Sequence, residues 1–342
     1  MTDLKTKLEI FDAIASRRDE RRKFLRFAGG SALAIGGATL LSACGNDDED
    51  LAPAPTPTPT PAPALNDADV LNFALNLEYL EAQFYAFAAF GVGLNASLLT
   101  GTGTQGAVTG GAQVPFQDTV VREYAREIAI DEVAHVAFLR TALGTAAVAQ
   151  PALDISGGTA AAPGAFTSAA RAAGVVTATG VFNPYADDNS FLLGAYIFED
   201  VGVSAYKGAA PLIANKTYLE AAAGILAAEA YHAGLIRTIL YRKGLTVPTL
   251  RTAAGQISDA RDSLDGTVTN AATGVIGDDD QGITGTDATM SNIVPTDANG
   301  LAYSRSTGQV LNIVYLNKAA VAMGGFFPAG VNGNIKTSAA NP

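Results

Sequence analysis

The chain has 342 residues but one cysteine, two histidines, three methionines and no tryptophan. Only 16% of its residues are charged. Each scarcity excludes something. A lone Cys44 rules out an intrachain disulfide and a Cys-x-x-Cys electron-transfer module. The charge balance is acidic, 33 Asp and Glu against 22 Lys and Arg, so nucleic acid is not an expected partner. The apolar stretch 27–41 is too short to span a bilayer. Any imidazole chemistry must fall on His135 and His232. Glutamate is sparse as well, at 11 residues.

Against that background, both histidines have a glutamate three residues ahead: Glu132-Val-Ala-His135 and Glu229-Ala-Tyr-His232. Random placement would give this with probability (11/342)², about 0.001. Positions i and i+3 share a helix face, so each pair can aim a carboxylate and an imidazole at one point. The doubling extends upstream. Glu78 precedes Tyr85 by seven residues, and Glu199 precedes Tyr206 by seven. Seven residues are nearly two helical turns. Arg140 and Arg237 each follow their histidine by five. The pattern predicts an internal duplication of a helix pair.

The duplicated helices offer Glu78, Glu132, His135, Glu199, Glu229 and His232. Four carboxylates balance two divalent cations. Without metal, such a buried cluster could not ionise fully. Carboxylate with imidazole suits iron first and manganese as the alternative, and disfavours copper(I) and structural zinc. Glu81 rivals Glu78 on the same helix; the tyrosine offset favours Glu78. Asp131, four residues before His135, is a candidate to hydrogen-bond a ligand histidine. Ala228 at the matching place of the second copy argues instead for a solvated acid. Tyr85 and Tyr206 read as core aromatics, with a place beside the metals as the alternative.

These motifs resemble the ferritin-like superfamily over roughly residues 66–243. In such bundles two helices each give a Glu and two each give Glu-x-x-His. The resemblance implies an all-α four-helix bundle with a long crossover. It also implies metal-bridging by Glu132 with Glu199, or by Glu132 with Glu229, and tyrosines near the metals at Tyr85 and Tyr206. In the tail, NIVPTDANGLAYSR, QVLNIVYL and GGFFPAGVNG are similar to desiccation-related ferritin-like proteins. That likeness implies a stress-protective role, with dioxygen or peroxide as the small oxidant substrate.

The amino terminus reads as an address. Arg21-Arg22-Lys23-Phe24-Leu25-Arg26 resembles a twin-arginine export motif, with Glu20 where a small hydroxyl residue is usual. Leu41-Ser42-Ala43-Cys44-Gly45 resembles a lipobox with Cys44 as the lipidated residue, so the expected location is the cell envelope or periplasm, anchored to a membrane. Removing residues 1–43 takes away eight basic and five acidic side chains, shifting the net charge from −11 to −14. Residues 45–64 are a Pro/Thr spacer of extended character.

The expected organisation is a signal over 1–44, the linker 45–64, a bundle over 65–244 and a loop-rich extension over 245–342 packed on it. Helices are predicted at 67–90 (Asn66 or Asp67 as cap), 116–143 (opened by Pro115), 189–210 (broken by Pro211) and 216–243. A short helix is expected near 167–173. In the extension one helix is expected at 309–323, with Thr307 as cap and Gly324-Gly325 as terminator. Val310, Ile313, Val314 and Val321 would pack it, and Phe326-Phe327-Pro328 would plug a gap. The extension has no His and no Glu, so metal ligands are not expected from it. Asp278-Asp279-Asp280 reads as a solvated acidic loop, with calcium as the weaker alternative. The expected function is a di-metal enzyme, with a homodimer among the candidate assemblies. The alternative is a non-catalytic structural or partner-binding bundle with a structural or vestigial metal site.

Overall fold

A computed structural model describes residues 65–266, 280–285 and 290–341. The export motif, the lipobox with Cys44 and the spacer lie outside the described residues, as do Asp278 and Asp279. Among the described residues seven α-helices carry the fold: α1 (Asp67–Phe90), α2 (Thr119–Leu143), α3 (Ala165–Ala172), α4 (Asp188–Ala209), α5 (Lys216–Gly244), α6 (Thr249–Asp265) and α7 (Thr307–Tyr315). Two three-residue strands, β1 (Val108–Gly110) and β2 (Leu153–Ile155), pair in parallel. Among the described residues no helix is long and apolar enough to cross a membrane.

Helices α1, α2, α4 and α5 form the bundle, α1 packing along α2 and α4 along α5. Their starts follow from capping chemistry. Asn66 and Asp69 close a capping box on α1, Asp118 caps α2, Asp187 caps α4 and Asn215 caps α5. Helix α2 begins three residues later than Pro115 suggests. Asp188 accepts the backbone N–H groups of Gln117 and Asp118 and holds that approach segment out of the helix. The spacing of Glu132, His135 and Leu139 then turns one face inward, and all three are buried.

Helices α1 and α4 are apolar on nearly every side, the pattern of a helix covered all round. The crossover and the extension supply the outer cover. Asn72 and Asn76 of α1 are buried, and each exchanges side-chain hydrogen bonds with a loop backbone, Ala146/Val148 and Asn332 respectively. Phe326 is fully buried between Phe166 of α3 and Phe198 of α4, at ring-centroid distances of 5.1 and 4.9 Å. The Phe-Phe-Pro segment therefore fills the gap expected of it.

The extension departs from expectation in three places. First, α6 was not anticipated. Its inner stripe runs Leu250, Ala253, Ala254, Ile257, Arg261, and the arginine masks the apolar period. Second, α7 is shorter than the stretch 309–323. Ser306, not Thr307, caps it through a box with Gln309, and Leu316 turns left-handed at φ 54° to end it. Gly324 and Gly325 do not terminate it. They fold back against the Val314 and Tyr315 carbonyls, leaving no room for a Cβ. Third, Asp280 is not solvated. It is 5% exposed and pairs with Ser258, Arg261 and Arg305.

Candidate metal centre

Each helix of the bundle delivers its acid or its acid–imidazole pair to one buried point. Glu78, Glu132, Glu199 and Glu229 are at most 1% exposed, and His135 and His232 are at most 9% exposed. His135 Nδ1 lies 3.2 Å from Glu78 Oε2, 3.5 Å from Glu132 Oε2 and 3.7 Å from Glu229 Oε1. His232 Nδ1 lies 3.1 Å from Glu132 Oε1 and 3.7 Å from Glu199 Oε2. The imidazole centroids are 6.2 Å apart. Two ligand groups result, Glu78/Glu132/His135/Glu229 and Glu199/Glu229/His232, with candidate ligand atoms within 4.8 Å of one another in each. Glu229 belongs to both groups, and Glu132 reaches both imidazoles.

The hydrogen bonds cross between the two copies. Tyr85 of the first donates to Glu199 of the second, and Tyr206 of the second donates to Glu78 of the first. The tyrosines are thus buried partners of the outer carboxylates. Asp131 pairs with the opposite copy's histidine rather than its own: its Oδ2 lies 3.4 Å from His232 Nε2. Glu81 also comes in. It is 6% exposed and faces the cluster from the same helix as Glu78. Its counterpart in the second copy is Gly202, where a Cβ would sit 2.3 Å from Glu229 Oε2 and 3.5 Å from Glu81 Oε1. The missing side chain makes the space that Glu229 and Glu81 occupy.

The electrostatics are those of a site awaiting positive charge. Burial raises Glu78 to about 7 and Glu199 to about 8, with Glu132 adding to each and a facing histidine opposing. Burial and surrounding carboxylates hold Glu81 and Glu229 well above the usual range. Burial would also raise Glu132, but His135 and His232 override it and bring that carboxyl well down. Desolvation alone would lower the histidines. Glu78 and Glu132 instead lift His135 to about 11, and Asp131 with Glu132 lifts His232 to about 10. Even so, both oxygens of Glu229 and one of Glu199 are buried without a hydrogen-bond partner, and Glu132 meets His232 Nδ1 at 3.1 Å and His135 Nδ1 at 3.5 Å without a well-aligned hydrogen bond. Orphaned oxygens in such number are rare in a folded core. Oxygen and imidazole donors facing a shared centre fit a hard or borderline divalent cation. A cavity of about 20 Å³ lies against Glu81 and is otherwise lined by apolar side chains, Leu77, Leu80 and Phe326 among them.

The arrangement agrees with known proteins. The ferritin-like domain family matches residues 66–242. The "Ferritin-like catalase Nec2" of Nesocodon mauritianus is 29% identical over 280 residues, 79% of this chain and 84% of that protein. The "Desiccation-related protein PCC13-62" of Craterostigma plantagineum is 30% identical over 254 residues, 72% of this chain and 76% of that one. No solved structure matches at a significant level. A helical bundle, a duplicated Glu-x-x-His centre and relatives that span most of the chain lead to one assignment: the protein belongs to the ferritin-like domain family, in its desiccation-related branch.

Proposed function

We propose that the protein is an exported di-metal oxidoreductase that disproportionates hydrogen peroxide at the cell envelope. One observation carries this reading: six side chains from four helices converge in a buried pocket where both oxygens of Glu229 and one of Glu199 have no hydrogen-bond partner and Glu132 faces both imidazoles. Four ionised carboxylates balance two divalent ions, and Glu81, whose carboxyl burial raises well above the usual range, is a fifth acid beside them. The relative named a ferritin-like catalase points to peroxide. So does electron balance. Disproportionation converts two H₂O₂ into two H₂O and one O₂, so it needs no outside reductant. Reduction of dioxygen would need one, and the chain has no Cys-x-x-Cys module to deliver electrons.

Glu132 and Glu229 face both ends of the centre, while Glu78 with His135 and Glu199 with His232 close its two sides. Bound there, two iron or manganese ions would supply a two-electron redox couple. Tyr85 and Tyr206 fix the outer carboxylates by donating to them. The adjoining cavity has room for one molecule of about the size of water or peroxide. Glu81 borders it, and burial with the surrounding carboxylates raises its carboxyl well above the usual range, so we assign it as the group that carries a proton here. It can give that proton to the peroxide that is reduced, which takes up two in becoming two waters. It can recover one from the peroxide that is oxidised, which releases two as O₂ forms. Export by the twin-arginine route, a lipid on Cys44 and the 45–64 spacer would hold this activity just off a membrane surface, protecting the envelope against oxidants.

Elemental analysis and an oxygen electrode test the proposal. The expected result is about two iron or manganese ions per chain and one O₂ released per two peroxides without added reductant. A protein that carries two ions yet releases no O₂ would overturn the catalytic reading and leave a structural metal.

The titration of the cluster sets a second expectation. In the metal-free protein, Glu78 and Glu199 sit above their unfolded value of 4.5, so the folded chain holds protons that the unfolded chain has lost. Stability therefore falls as pH rises from 4.5 towards 7–8. The raised histidines act in the same direction: their contribution is full below 6.5 and is lost as pH rises through about 10–11. Metal replaces those protons. The gap in melting temperature between metal-loaded and chelated protein should thus widen steadily from pH 5 to pH 8, as differential scanning calorimetry would show. A gap independent of pH would mean that metal does not displace protons from this cluster.

A further inference from the structure

The two copies of Glu-x-x-His differ behind their histidines. Each histidine turns Nδ1 to the carboxylates. Behind His232, Nε2 meets Asp131 Oδ2 at 3.4 Å, from the residue just before Glu132 on α2. The matching residue before Glu229 on α5 is Ala228, which has no polar side chain. The His135 ring is 11% exposed and that of His232 is 4% exposed. The acids differ as well: the first group holds Glu78, Glu132 and Glu229 with Glu81 nearby, the second Glu199 and Glu229, while Glu78 and Glu199 match in each accepting from a buried tyrosine.

We propose that the two metal positions are inequivalent and that Asp131 is the positioning residue that makes them so. The position built on Glu199 and His232 binds its divalent ion first and more tightly; the position built on Glu78 and His135 holds the exchangeable ion. The reason is local chemistry. A histidine that coordinates through one nitrogen and donates the other N–H to a carboxylate is locked in tautomer and ring orientation and made more basic. Loss of such a partner typically costs 10–100-fold in metal affinity. His232 has that partner and His135 does not. The inference rests on the di-metal reading above and adds an order of filling.

Cobalt(II) titrated into the metal-free full chain, followed by calorimetry and visible absorption, tests it. The wild type is expected to bind in two steps about 10–100-fold apart in affinity. His232→Ala removes the tight step and His135→Ala the weak one. Asp131→Ala weakens the tight step until the two merge, and Asp131→Asn, which keeps an acceptor, recovers part of the separation. Ala228→Asp tightens the weak step and serves as the informative variant should Asp131→Ala fold poorly. Two equal steps in the wild type, a tight step that survives His232→Ala, or a tight step unmoved by Asp131→Ala would each overturn the inequivalence while leaving a di-metal centre in place. A wild type that binds no cobalt would overturn the di-metal reading itself.

Discussion

Glu132→Ala is expected to strip both metal positions and reduce peroxide turnover by more than about 100-fold, the upper range for loss of a mere ligand partner. No other carboxylate in the cluster lies within 4 Å of both imidazoles, at 3.5 Å from His135 and 3.1 Å from His232. Loss of an outer ligand such as Glu78 or Glu199 leaves the other end intact, whereas loss of Glu132 opens both. It also removes a charge that raises both histidines, beside Glu78 at His135 and Asp131 at His232, so the metal-free variant should hold both imidazoles protonated less strongly. Metal content per chain, read by elemental analysis beside oxygen release, decides the matter. Glu220→Ala on the exposed side of α5 is the control and should leave both unchanged. A Glu132→Ala protein that retains two ions and full turnover would show that the centre lies elsewhere.

Much of this centre was legible in the sequence because its chemistry is rare in this chain. With 11 glutamates and two histidines, the repeated spacing had little background to hide in. The offset of seven between glutamate and tyrosine pairs Glu78 with Glu199 in the sequence, and in the structure each tyrosine donates to the other copy's acid. Sequence periodicity describes one helix at a time, so it could not reveal that exchange. The same limit explains Asp131. On its own helix it lies one turn from His135, but its contact goes to His232, on a helix about a hundred residues later. Glu81 was a competitor for Glu78 on paper. In three dimensions both fit, because Gly202 vacates the opposite wall.

The extension was harder to read for a physical reason. Its cohesion is ionic rather than periodic. Arg261 occupies a place on the inner stripe of α6 where an apolar residue would announce a helix, and its guanidinium reaches Asp200 and Asp280 instead. Asp280 closes a run of three acids that looks solvated until its partners, 19 and 25 residues away, are known. The duplication itself carries a trace of this. Arg140 donates to Tyr79, the residue after Glu78, and Arg237 donates to Asp200, the residue after Glu199. One arginine–neighbour device thus serves both copies, neutral where α1 meets loops and charged where α4 meets the extension.

That charged version sets the largest expected effect on stability. Arg305→Met should lower the unfolding free energy by about 3–5 kcal/mol, the cost of leaving buried charge uncompensated. Arg305 is 2% exposed and binds Asp265, Asp280 and Ser204, joining the end of α6, the segment after it and the outer face of α4. Its own backbone N–H also donates to the Ser204 carbonyl, and Gly208 lies so close to the Arg305 carbonyl that no Cβ would fit between them. Chain and side chain therefore dock together, and shortening the side chain takes the Arg305 guanidinium from two buried carboxylates, Asp265 and Asp280, at a joint that cannot slide, although Asp280 keeps Arg261 and Ser258. For a folded unit of this size the loss corresponds to a fall in melting temperature of roughly 10 °C. Arg305→Lys keeps the charge but not the planar fork, so it should fall between wild type and Arg305→Met. The pattern across the three proteins separates charge from geometry, with thermal melts of the metal-free form as the readout. If Arg305→Met melts with the wild type, the acids have found other compensation and apolar packing alone holds the extension. If the lysine variant melts as low as the methionine variant, the fork rather than the charge fastens it to α4.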